Sequence, residues 1–174
     1  DSISMDNDRI IAEKDEKRYL LDRTGTILMV FATKYAYAAK NGYFVVYDTY
    51  DNGIGLLDSQ GNEILLREYY KIRVLNEHLA HVARKEEDGS VVYGIVDYLT
   101  GDTVLPMVYQ EIVSEADGMY AFQQLGYYGY MDTAFKTVIS PQYTKAKDFN
   151  HGYAPVQKDN GEWIIIDKEG NCVY

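Results

Sequence analysis

The sequence predicts an all-β chain built from tandem units of about 35 residues, each unit a pair of β-hairpins. Three observations carry this. A pentad ending in aspartate recurs as "RYLLD", "IGLLD", "YGIVD", "YGYMD" and "WIIID", closing at Asp22, Asp58, Asp97, Asp132 and Asp167 with steps of 36, 39, 35 and 35 residues. Turn-forming pairs recur on the same period, and Asn-Gly and Asp-Gly supply the positive φ angles that tight hairpins need. Tyrosine numbers 18 and proline only 3, a composition that suits many short strands.

Taken in chain order, Asn7–Arg18 ("NDRIIAEKDEKR") is the best helical candidate, and its apolar residues are too few for a helix face. Its core, "RIIAEKDEK", matches the second hairpin of a unit instead. Each pentad reads as a strand. Two residues before its aspartate stand Leu20, Leu56, Ile95, Tyr130 and Ile165, and one before it Leu21, Leu57, Val96, Met131 and Ile166. A turn follows, with Gly25, Gly61, Gly101 and Gly170 at a fixed place and Phe135 there in the fourth copy. Eleven or twelve residues after the aspartate come Tyr69, Tyr109 and Tyr143, with Pro106 and Pro141 shortly before two of them. A further strand then resumes, as "GYFVV", "HLAHV", "GMYAF" and "GYAPV". The second set of turns, "YDNG", "EDGS" and Asp159–Gly161, with Leu125-Gly126 in the fourth copy, is read as the junction between units.

This register resembles the WG (or KWG) repeats of bacterial proteins, most clearly from Gly53 to Asp167. In that family a Trp-Gly pair precedes the apolar stretch and the aspartate. Here the Trp slot holds Arg18, Ile54, Tyr93, Tyr128 and Trp163, and the Gly slot holds Tyr19, Gly55, Gly94, Gly129 and Ile164. The pair is never complete, so the resemblance rests on the whole register. It implies one β-repeat domain over residues 1–174 with four to five repeats, and it implies no chemistry. An open solenoid-like or ribbon array is the first expectation. The alternative is a closed five-bladed propeller whose N- and C-terminal halves share one blade, because the first 17 residues carry the half unit that the last lacks.

Bulk properties exclude several functions. A formal charge of -10 without a segregated basic patch argues against nucleic acid. No apolar run reaches the roughly 18 residues of a membrane span. One cysteine, Cys172, precludes an intrachain disulfide framework. The start at Asp1 without methionine fits a mature form after signal cleavage or a trimmed chain, and a cell-envelope or secreted location is favoured over a cytoplasmic one.

The repeated aspartates have the look of metal ligands, but an aspartate between a strand and a tight turn accepts backbone N–H bonds of that turn. "DTYDNG" at Asp48–Gly53 begins like a calcium loop and lacks the required ligands at its third and twelfth positions, and Asp6–Asp8 is too short for one. His78 and His81 point to opposite faces of a strand, His151 stands apart, and Cys172 is assigned to the edge of the core. No catalytic, cofactor or metal residue is therefore assigned, and the chain is expected not to be an enzyme. The aromatics remain. Tyr69, Tyr109 and Tyr143 are expected to form buried stacks, with an exposed glycan- or peptide-binding ladder as the other reading, and Tyr127 is the one tyrosine of "LGYYGYMD" left for surface contact. The expected function is a binding or scaffolding module for a protein or peptide, with envelope-associated carbohydrate binding as the alternative.

Overall fold

The computed structural model of the chain describes residues 3–6, 9–39, 42–48, 53–113 and 115–174. Among these, regular structure is strand only, and the strands form five small antiparallel sheets. Sheet one comprises β1 (Ile3–Asp6), β2 (Arg9–Lys14), β3 (Lys17–Leu21) and β4 (Ile27–Phe31). Sheet two comprises β5 (Tyr35–Ala38), β6 (Phe44–Tyr47), β7 (Ile54–Leu57) and β8 (Glu63–Tyr69). Sheet three holds β9 (Lys71–Val74), β10 (Leu79–Lys85), β11 (Val91–Asp97) and β12 (Thr103–Tyr109). Sheet four holds β13 (Glu111–Ile112), β14 (Met119–Gln124), β15 (Tyr127–Asp132) and β16 (Thr137–Tyr143). Sheet five holds β17 (Lys145–Ala146), β18 (Tyr153–Gln157) and β19 (Trp163–Asp167), with a bridge from Ile166 to Cys172. Within each sheet the strands are ordered as in the sequence, which is the shortest way to connect antiparallel neighbours. The chain divides into two compact units, residues 1–89 with 95–103, and residues 90–94 with 104–174.

The phase of the repeat differs from the sequence reading. A new sheet begins two residues after each periodic tyrosine, at Lys71, Glu111 and Lys145. Each pentad is thus the third strand of its sheet, and the Leu125-Gly126 turn lies inside sheet four rather than between units. Leu125 at φ 52 and Gly126 at φ 85 form the two-residue turn joining β14 to β15. Residues 50–52 of "YDNG" lie outside the described residues. The N-terminal "RIIAEKDEK" is strand, as expected, and completes the sheet of Asp22.

Two faces of the sheets recur. The face carrying the Trp slot and the residue two before the aspartate is here called A. The face carrying the Gly slot and the residue before the aspartate is called B. In the first unit, face A of sheet one (Ile11, Leu20, Phe31) packs on face B of sheet two (Ala36, Phe44, Val46). In the second unit, face A of sheet four (Ala121, Tyr130, Ile139) packs on face B of sheet five (Ala154, Val156, Ile164, Ile166). One rule therefore builds both cores.

The register explains the Gly slot. Ile54 pairs with Tyr69 and Leu56 with Leu65, so Gly55 alone faces three residues of β8. In the same way Tyr128 pairs with Tyr143 and Tyr130 with Ile139, leaving Gly129 opposite three residues of β16. Such a bulge drives the partner backbone toward the glycine. A Cβ on Gly129 would stand 2.4 Å from the carbonyl oxygen of Ile139 and 2.8 Å from the nitrogen of Pro141. On Gly94 it would stand 2.6 Å from the carbonyl oxygen of Leu105. Pro141 belongs to the bulge, where no ladder donor is needed. In sheet one Arg18 pairs with Phe31, Tyr19 with Val30 and Leu20 with Met29, without that bulge. Tyr19 can therefore stand where sheets two, three and four carry Gly55, Gly94 and Gly129.

Candidate functional site

The repeated aspartates serve their turns. Asp22 Oδ1 accepts the N–H groups of Thr24 at 2.8 Å and Thr26 at 2.9 Å. Asp132 Oδ1 accepts those of Ala134 and Lys136, each at 2.9 Å. Asp58 and Asp167 do the same at their own turns, and each also accepts the side-chain amide of an asparagine, Asn62 and Asn171. Asp97 takes the N–H groups of Leu99 and Thr100 and the ring Nδ1 of His78 at 3.0 Å. At Asp22, Asp58, Asp97 and Asp167 these bonds favour the carboxylate form. Asp22 is held below the ordinary carboxylate range chiefly by the Thr24 hydroxyl, and Asp167 chiefly by Asn171. At Asp58 and Asp97 a burial penalty is outweighed by Asn62 and by His78 with their neighbouring N–H groups. Among the described residues no group of three or more His, Cys, Asp or Glu is arranged to hold a metal.

The histidines are separated. His78 meets Asp97, whereas His81 packs its Nδ1 3.4 Å from Arg73 and is pushed down to about 4 by burial and by the charges of Arg73 and Lys71. Cys172 is exposed rather than at the core edge, although the chain around it follows β19 through the Ile166–Cys172 bridge and backbone bonds between Ile165 and residues 173 and 174.

The aromatic ladder is spent on packing. Tyr69 and Tyr143 are 9% and 6% exposed, and Tyr109 lies half-buried with its ring edge-on to Phe122 at 5.3 Å. Burial raises the pKa of all three phenols and so keeps them neutral. Tyr130 is wholly buried and donates to the carbonyl of Lys147 at 2.7 Å. Tyr128 donates to Glu111 Oε2 at 2.7 Å, and that bond, with burial, pushes its pKa up to about 12. Tyr127 is 38% exposed at the start of β15 and is the member of the four that offers a surface.

Two surface features escape a reading based on the pentads. The first is a recurrent apolar residue on the fourth strand. Each of β4, β8 and β16 skips one residue in its ladder near the Asp turn, and the skipped residues are Leu28, Ile64 and Val138. Val104 holds the same place in β12. Leu28, Val104 and Val138 are exposed and Ile64 is half-buried. Their side chains leave the ladder at a bulge on an outer strand, so the fold does not bury them. The signal was in the sequence, six or seven residues after each aspartate, but an apolar residue in a strand reads as core until the bulge is known. The second feature is a tyrosine patch on sheet two. The rings of Tyr35 and Tyr47 stack at 5.0 Å, Tyr37 meets Tyr47 at 6.4 Å, and Arg18 and Lys34 lie 5.4 and 5.6 Å from the Tyr35 centroid. The cations use the Tyr35 face, which reduces what the patch can offer a ligand.

Comparison with known proteins agrees with this anatomy. Residues 93–128 and 128–163 match the family model described as WG containing repeat, as two tandem matches. No curated protein matches the sequence. Solved structures resemble it in fold at low identity. BamB from Moraxella catarrhalis shares 13% identity with a TM-score of 0.46, over 99% of this chain and 62% of that one. The computationally designed Ika8 protein shares 12% with a TM-score of 0.50, over 99% and 59%. The Neurospora crassa Pan2 WD40 domain shares 11% with a TM-score of 0.44, over 95% and 60%. The chain thus spans about three fifths of the length of these structures.

Proposed function

We propose that this chain is a non-enzymatic binding or scaffolding module for a protein or peptide partner. The observation that carries the reading is the apolar residue that recurs at one place on the fourth strand of the four-stranded sheets, exposed as Leu28, Val104 and Val138 and half-buried as Ile64. The repeat spends its aspartates on turns and its glycines on bulges, and its periodic tyrosines go to packing. What the fourth strands leave at the surface is aliphatic, with Leu28, Val104 and Val138 exposed and Ile64 half-buried. An outer strand offers free backbone groups to an extended peptide, and an adjacent apolar side chain gives that peptide a place for an anchor residue. The same placement disfavours a carbohydrate ladder, since Tyr127 alone of the four candidate tyrosines has an open ring.

The test is selection from a displayed peptide library against the wild-type chain and against a variant with Leu28, Ile64, Val104 and Val138 all changed to serine. Enrichment of apolar-anchored peptides on the wild type and its loss on the variant supports the reading. Equal enrichment on both proteins, or enrichment on neither, overturns it.

A further inference from the structure

The packing rule that builds both cores leaves two faces uncovered, one in each unit. In sheet one, face B carries Ile10, Ala12, Tyr19, Leu21, Ile27 and Val30, paired across the ladder as Ile10 with Leu21, Ala12 with Tyr19, Tyr19 with Val30 and Leu21 with Ile27. The equivalent residues of sheet five, Ala154, Val156, Ile164 and Ile166, are all buried. In sheet one they are not. Ile27 is 55% exposed, Val30 is exposed, and a groove of about 330 Å³ is lined by Ala12, Lys14, Asp15, Tyr19, Leu21 and Ile27.

The converse holds in sheet five. Its face A carries Tyr153, Pro155, Trp163 and Ile165, with Pro155 paired to Ile165. Their equivalents on sheet four are Met119, Ala121, Tyr128 and Tyr130, in a face packed on the next sheet. On sheet five, however, Trp163 is 45% exposed, Tyr153 and Pro155 are exposed, and Ile165 is half-buried. Exposed aromatic and aliphatic residues grouped on one sheet face mark an interaction surface.

We propose that these two faces are the halves of one interface, and that face A of sheet five in one molecule docks on face B of sheet one in a second copy of this chain. The occupant is argued from the protein's own established interface. In both units the A face of one sheet is covered by the B face of the next, and in both the contact joins aliphatic and aromatic residues of the same slots. The free A face ends in the Trp slot, filled here by the sole tryptophan, Trp163. The free B face has Tyr19 in the Gly slot, and its β4 lacks the bulge that forces glycine elsewhere. The contact is heterologous, since the two surfaces differ, and it adds molecules head to tail.

The test uses sedimentation velocity together with Trp163 emission over a range of protein concentrations. Association is expected to raise the mean mass with concentration and to shift Trp163 emission to shorter wavelength in step. Ile27→Asp breaks one half and Tyr153→Asp the other, each at an exposed side chain so that the fold is kept. A carboxylate at a contact that excludes water weakens it by at least about tenfold. Each variant alone is expected to be monomeric. Their equimolar mixture is expected to form a 1:1 dimer and nothing longer, because one intact A face then meets one intact B face. Failure of the mixture to associate overturns the proposal. So does a wild-type chain that stays monomeric at every concentration, or a variant that associates as the wild type does.

Discussion

Replacing Gly129 by alanine adds a single methyl group and is expected to be among the most damaging small changes in the chain. The new Cβ would lie 2.4 Å from the Ile139 carbonyl oxygen, 2.8 Å from the Pro141 nitrogen and 2.9 Å from the Ser140 carbonyl carbon. All three are backbone atoms of the bulge in β16, so no side chain can rotate away and the strands must part by about an ångström. Overpacking of this kind costs about 1–3 kcal/mol, and a clash against backbone on a central strand belongs at the upper end. The penalty is a substantial share of the roughly 5–15 kcal/mol that holds a domain. Chemical denaturation followed by circular dichroism reads it. Gly126→Ala is the control. Its methyl meets nothing within 4 Å, and only its φ of 85 is strained, so it costs about 1 kcal/mol. The decisive arm is a compensated variant. Removing Ser140 and Pro141 shortens β16 by two residues and gives it the length of β4, which faces Tyr19 without clash. In that background Gly129→Ala is expected to cost at least about 1 kcal/mol less than in the wild type. A Gly129→Ala protein as stable as the wild type refutes the reasoning, and so does an unchanged cost in the shortened background.

Three further outcomes are expected. Asp132→Ala removes the acceptor of two turn N–H groups and costs about 1–2 kcal/mol, while Asp132→Asn keeps one acceptor oxygen and costs less; thermal melts that rank them otherwise contradict the turn role. Phe135 sits at φ 59 where the other copies hold glycine, so Phe135→Gly is expected to be more stable than Phe135→Ala by about 1 kcal/mol, the reverse of the usual order, and denaturation of the pair checks it. His81 is neutral in the fold, with its pKa lowered from 6.5 to about 4 by burial and by Arg73 and Lys71. The unfolded chain therefore binds the extra proton between those values, and stability is fullest above pH 6.5 and falls by up to about 3 kcal/mol as the pH drops toward 4. His81→Gln is expected to flatten that limb of the pH profile, and a profile that keeps its slope contradicts the assignment.

The architecture was legible because its signals are local and repeated. An aspartate that accepts N–H groups from its own turn needs no distant partner, so the five pentads declared their strands and turns directly. The phase of the sheets was not legible. Both sets of turns carry glycine at positive φ, and only the pairing of strands shows that Leu125-Gly126 lies within a sheet and that the boundary follows Tyr69, Tyr109 and Tyr143. The Gly slot was visible as a recurrent glycine, but the reason for it, three residues of a bulge against one, is a register fact. The departures of Tyr19 and Phe135 became intelligible only with the ladder and the φ angles in hand. The apolar knobs were missed for the same cause. Leu28, Ile64, Val104 and Val138 each have a further apolar residue directly after them in the strand, and alternation fails to sort inside from outside where a residue is skipped. Trp163 read as the one family tryptophan, yet it occupies a face that the packing rule leaves open.

The central claim is that the residues that build the repeat and those that meet its partner are different sets. The most direct measurement compares stability and binding in one protein, the variant with serine at positions 28, 64, 104 and 138, using a peptide selected on the wild type. The account predicts an unfolding midpoint within a few degrees of the wild type and an affinity lowered by at least about tenfold. A variant that unfolds early while retaining the wild-type affinity would contradict it.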